Sequence, residues 1–89
     1  MKVIDNRAAS RFEMDTAAGL AFIDYRRHQG VVTATHAEVP RELHGQGMGS
    51  QLAKGALEQV RADGDKLVAR CPFVAAYVKR HAEFQSLLA

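Results

Sequence analysis

The sequence predicts a single compact α+β domain, a mixed and mostly antiparallel sheet carrying one parallel strand pair and two main helices. Three observations carry that prediction. The first half of the chain alternates apolar and polar residues with the period of a strand. A glycine-rich turn then opens a stretch with helical spacing. A short apolar run and a proline-led helix follow, so the second half reads strand, helix, strand, helix. With 89 residues, 47% of them apolar and 25% charged, the chain has material for one modest core, and residues 1–89 are read as one domain.

Taken in order, Val3 and Ile4 fit either a short strand or a simple anchor for the terminus. Arg11-Phe12-Glu13-Met14-Asp15 and Leu20-Ala21-Phe22-Ile23-Asp24-Tyr25-Arg26 alternate with period two and read as antiparallel strands. Val31 to Val39, rich in Val and Thr and entered through Gln29-Gly30, completes a hairpin and ends at Pro40. Arg26-Arg27-His28 beside that turn reads as a solvated segment. From Met48, the residues Leu52, Ala53, Ala56, Leu57 and Val60 form a helical stripe that Asp63-Gly64-Asp65 terminates. Gly55 inside it costs about 1 kcal/mol relative to alanine, which points to close packing on the sheet. Lys66 to Arg70 is too short for a helix and makes, with Val31 to Val39, a βαβ crossover and hence a parallel pair. Pro72 suits the first position of the last helix, on which Phe73, Ala76, Tyr77 and Arg80 are expected to share a face. Phe84, Leu87 and Leu88 offer apolar groups for a docked tail.

Composition narrows the function classes. The formal net charge is +2 and the basic residues are scattered, which argues against a nucleic-acid partner. The lone Cys71 excludes an intramolecular disulfide and fits a reducing compartment, so a cytoplasmic protein is expected. Met1 to Asn6 lacks the apolar region of a secretory signal, and no run approaches the ~20 apolar residues of a membrane span, so no membrane partner is expected. The histidines lack a compact metal-ligand spacing, and no metal is expected.

Gly45, Gly47 and Gly49 lie between a strand and a helix start, where unpaired N–H groups and the positive end of the helix dipole suit a phosphate. The third glycine comes one place early for GxGxxG, and Lys54 sits a turn inside the helix rather than ahead of a Ser or Thr, so neither a dinucleotide fingerprint nor a P-loop is present.

The turn His44-Gly45-Gln46-Gly47-Met48-Gly49 resembles the acyl-coenzyme A pyrophosphate loop of the GNAT acetyltransferases, with His44 where that family usually has Gln or Arg. Downstream, Cys71-Pro72-Phe73-Val74-Ala75-Ala76-Tyr77-Val78-Lys79-Arg80-His81-Ala82-Glu83-Phe84 resembles the closing segment of a small, truncated GNAT-like (YjdJ-type) N-acetyltransferase domain. Arg11-Phe12-Glu13, His36, Val39 and Pro40 belong to the same pattern, so the resemblance spans most of the chain.

The resemblance implies that the parallel strands splay apart and that acetyl-coenzyme A enters between them. Val39 is the candidate for pairing with the pantetheine arm, and Pro40, His44, Gly45, Gln46, Gly47, Met48, Gly49 and Ser50 frame the pyrophosphate site. A backbone N–H freed by the splay is expected near the thioester oxygen, where it would stabilise a developing oxyanion. Tyr77 is placed as a general acid for the departing sulfur, against the alternative that its ring only packs on the sheet. Cys71 is either a nucleophile that carries the acetyl group or a small buried hydrophobe. His36 or Glu38, which share a strand face, could act as base or proton relay. Lys79 and Arg80 could meet phosphates or simply complement the helix dipole, and His81 and Glu83 order the tail. The expected activity is acetyl transfer from acetyl-coenzyme A to an amine on a protein, peptide or small molecule, by a monomer or weak homodimer. The alternative is a coenzyme A-binding sensor or partner module with little transferase activity.

Overall fold

The computed structural model describes residues 2–89. Five strands, β1 (Val3–Asn6), β2 (Arg11–Thr16), β3 (Gly19–His28), β4 (Val31–Glu38) and β5 (Lys66–Ala69), lie in the order β1-β2-β3-β4-β5. The first four are antiparallel neighbours, and β5 runs parallel to β4 after helix α1 (Met48–Ala62). Helix α2 (Pro72–Arg80) and a 3-10 tail (Ala82–Leu87) follow. Val3 and Ile4 therefore belong to a strand, and β3 is longer at both ends than its alternation alone delimits.

Local chemistry sets the turns. Gln29 (φ 47°) and Gly30 (φ 78°) both take left-handed backbone, the pairing a two-residue hairpin needs to match strand twist. Past α1, the N–H of Gly64 reaches Arg61 O at 3.0 Å and that of Asp65 reaches Val60 O at 3.1 Å, which closes the helix in a Schellman motif.

The core lies on one face of the sheet. Phe12, Met14, Ala21, Ile23, Tyr25, Val32 and Ala34 meet the α1 stripe of Leu52, Ala53, Ala56, Leu57 and Val60, all buried. Gly55 has the close approach its position suggests, because a Cβ there would lie 2.8 Å from Val3 Cβ. The other sheet face, with Arg11, Glu13, Phe22 and Asp24, has no helix on it and is partly solvated. No helix among the described residues is long and apolar enough to cross a membrane.

Two expectations are corrected. Helix α2 buries Val74, Tyr77 and Val78, while Phe73, Ala76 and Arg80 are exposed. Pro72 does begin the helix, but the stripe touching the core is the 74/77/78 set, which leaves Phe73 beside the first turn of α1. Arg27 is no solvated turn residue. Its guanidinium bridges Asp5, at 3.0 Å, and Asp65, tying β1 and the α1–β5 turn to β3. The tail docks through buried Phe84 and Leu87, whereas Leu88 stays half-exposed and instead forms a backbone bridge with Leu67.

Candidate functional site

The parallel pair opens into a fork. β4 and β5 pair from Val31↔Lys66 to Ala34↔Ala69, and the N–H groups of Arg70 and Cys71 then both donate to Ala34 O, at 3.0 and 2.9 Å. Pro72 has no N–H and cannot extend the ladder, so the chain turns into α2. β4 meanwhile continues, beyond a bulge at Thr35, to Glu38, paired only with β3. Since Arg70 and Cys71 spend their N–H groups on Ala34, unopposed edge groups at the fork belong to β4.

The bulge also resets which side chains face the core. Ala37 stands opposite buried Ile23, so Ala37 and then Val39 face the helices. His36, opposite Asp24, and Glu38, opposite Phe22, face the solvated side. A cavity of about 370 Å³ lies on the helix side, lined by Ala37, Val39, Leu43, His44, the glycine turn, Met48, Ser50 and Phe73.

Backbone hydrogen bonding within the loop divides it in two. The N–H groups of Leu43, His44 and Gln46 are spent on Pro40 O, Arg41 O and Leu43 O. Those of Gly45, Gly47, Met48, Gly49 and Ser50 have no backbone acceptor, because the first α1 bond is Gln51 N to Gly47 O, and each of these residues lines the cavity. Gly47, the N-cap, offers no side-chain acceptor, and the first turn of α1 has no acidic residue. Gly45 (φ 83°) and Gly47 (φ 77°) need left-handed backbone to hold this arrangement. Gly49 makes a close approach of another kind: a Cβ there would lie 2.7 Å from Phe73 Cζ, so the ring would have to shift.

His44 turns back on the strand end, and its Nε2 lies 2.9 Å from Val39 O. A carbonyl only accepts, so Nε2 carries the proton. On the solvated face, His36 Nε2 lies 2.8 Å from Glu38 Oε2; donating there fixes the tautomer and leaves Nδ1 free to accept a proton. Both side chains are more than half exposed.

The remaining candidates are placed less centrally. Cys71 is 3% exposed and belongs to the core cluster. Tyr77 is also buried, its ring stacked at 3.9 Å on His81, whose Nδ1 donates to Tyr77 O. Burial, then the carboxylates of Glu83 and Glu58, hold the Tyr77 hydroxyl above the usual tyrosine range. Tyr77 belongs to the buried 74/77/78 stripe and does not line the cavity. Gln46 directs its side chain to Glu42 O, and Gln46, Pro40 and Lys79 do not line the cavity. Sequence reasoning missed Ala37, Leu43 and Phe73 as lining residues; only Phe73 carried a signal, an aromatic directly after the helix-starting proline.

Among the described residues, no group of three or more His, Cys, Asp or Glu side chains is placed to hold a metal ion. Comparison with known proteins adds the following. The family model described as GCN5-related N-acetyl-transferase matches residues 11–87. The fold is similar to the solution structure of a GCN5-like protein from Staphylococcus aureus, with a TM-score of 0.74 and 25% identity over 99% of this chain and 87% of that one. No curated protein matches the sequence.

Proposed function

The chain belongs to the GCN5-related N-acetyl-transferase family, and from that premise we propose that it holds acetyl-coenzyme A in the cavity below the β4–β5 fork and transfers the acetyl group to an amine. One observation carries the reading: the N–H groups of Gly45, Gly47, Met48, Gly49 and Ser50 lack backbone acceptors at the start of a helix with no acid in its first turn. Such donors, with the helix dipole behind them, suit a diphosphate. The apolar wall of Ala37, Val39, Leu43, Met48 and Phe73 suits the uncharged arm that would run from the diphosphate to the fork.

When bound, the coenzyme supplies an acetyl thioester. The unopposed edge of β4 offers backbone groups to the arm and to the thioester oxygen, where an N–H would stabilise developing negative charge. On the opposite face, His36 Nδ1 accepts the proton of an incoming ammonium, with Glu38 holding the ring by its other nitrogen. The amine therefore approaches from the solvated face, which no helix covers, and protein, peptide and small amines all have access. Burial of the Cys71 thiol favours direct attack over an acetyl-cysteine route.

Thermal unfolding in the presence of acetyl-coenzyme A tests the premise. Ligand at a hundred times its dissociation constant stabilises the fold by about 2.7 kcal/mol, and no shift at saturating concentrations overturns the reading. Mass measurement with an amine panel then tests transfer. Binding without turnover for any amine would leave a coenzyme-binding module and remove the enzyme reading.

A further inference from the structure

The contact between His44 and Val39 joins two residues that both line the cavity. Val39 lies one residue past the end of β4 and beyond Ala34, the last residue to pair with β5, and is followed by Pro40, so the chain leaves the sheet here. Among the described residues no backbone N–H reaches the Val39 carbonyl, and the His44 imidazole takes that place at 2.9 Å. The backbone of His44 is held separately, its N–H on Arg41 O at 3.1 Å, while the residue is exposed. Rotation of the side chain alone therefore frees Val39 O without rebuilding the loop. The phosphate-suited donors are main-chain N–H groups, which do not call on this ring.

We propose that His44 is a latch on the strand side of the cavity: its imidazole occupies the Val39 carbonyl and competes there with an amide N–H of the ligand's arm. This rests on the coenzyme A reading above. The latch acts on one half of the ligand only. An arm carrying amide donors competes with His44, whereas the phosphorylated adenosine half, held by the glycine turn, does not.

Isothermal titration of the whole chain with coenzyme A, pantetheine and adenosine bisphosphate separates these parts. Removing the competing donor in His44→Ala should tighten pantetheine and coenzyme A about fivefold, the worth of roughly 1 kcal/mol for one hydrogen bond, and leave adenosine bisphosphate within about twofold. His44→Gln, which keeps a donor, should stay near the parent. In the parent protein, the His44 ring nitrogen resonances should move on adding pantetheine and stay fixed with adenosine bisphosphate. Unchanged or weaker pantetheine binding in His44→Ala overturns the latch, and a selective loss of adenosine bisphosphate makes His44 a phosphate ligand instead. A parent protein that binds none of the three removes the coenzyme A reading itself, an outcome separate from either.

Discussion

Replacing Gly49 with alanine places a methyl group 2.7 Å from Phe73 Cζ and 3.2 Å from Cε1, well inside the ~3.5–4.0 Å of an unstrained carbon contact. If the ring were fixed, overpacking of this kind would cost about 1–3 kcal/mol. Phe73 is 40% exposed and its far edge makes the contact, so the ring can yield. It has the cavity beside it, because Phe73 and Gly49 line the same wall. Alanine also recovers up to ~1 kcal/mol of helix propensity. The net change in stability is therefore small, about 0–2 kcal/mol of loss, and the main cost falls on the ligand: a ring displaced into the cavity should weaken coenzyme A at least about tenfold, or 1.4 kcal/mol. Thermal unfolding and titration calorimetry on Gly49→Ala, Phe73→Ala and the double variant measure both quantities. The double variant should regain the stability lost to the clash, with a coupling of about 1 kcal/mol. Affinity unchanged in Gly49→Ala, together with zero coupling, would refute the claim that this glycine exists to admit Phe73.

Gly55→Ala should destabilise by about 1–3 kcal/mol in urea despite alanine's better helix propensity, since its methyl meets the buried Val3 side chain, and Val3→Ala should restore part of the loss. Tyr25 and Tyr77 are both held above the usual tyrosine range, chiefly by burial, so their contribution to stability is complete below about pH 10 and is lost as pH climbs through the raised values. Denaturation across the alkaline range should show that decline, and it should lessen in Tyr25→Phe. Tyr77→Phe should leave acetyl transfer within about twofold of the parent, because Tyr77 is buried and does not line the cavity; a hundredfold drop in kcat, the size of a lost general acid, would assign Tyr77 to the chemistry. Asp5→Asn should cost about 2 kcal/mol, less than a fully buried pair would, since Arg27 is 21% exposed; an unchanged denaturation midpoint would show that solvent already screens the network.

The sequence by itself determined the order of the elements, the alternation that assigns Phe12, Met14, Ala21 and Ile23 to one face, the α1 stripe and its glycine stop, and the glycine turn that joins β4 to α1. These follow from period, turn chemistry and helix ends, all of which act over a few residues. Tertiary structure alone decided what crosses between elements. The bulge at Thr35 flips the facing of every later β4 side chain, so that Ala37 and Val39, and not His36 and Glu38, face the helices. The phase at which α2 docks sends Phe73 to the cavity and Tyr77 to the core, a choice open to a short helix with apolar residues at Phe73, Val74, Tyr77 and Val78. Arg27 looked like a hairpin cation until β1 and the α1–β5 turn brought Asp5 and Asp65 to it. Even Gly49, legible as part of the turn, meets a ring 24 positions away in the chain, since sequence records that a side chain is missing but not what fills its place.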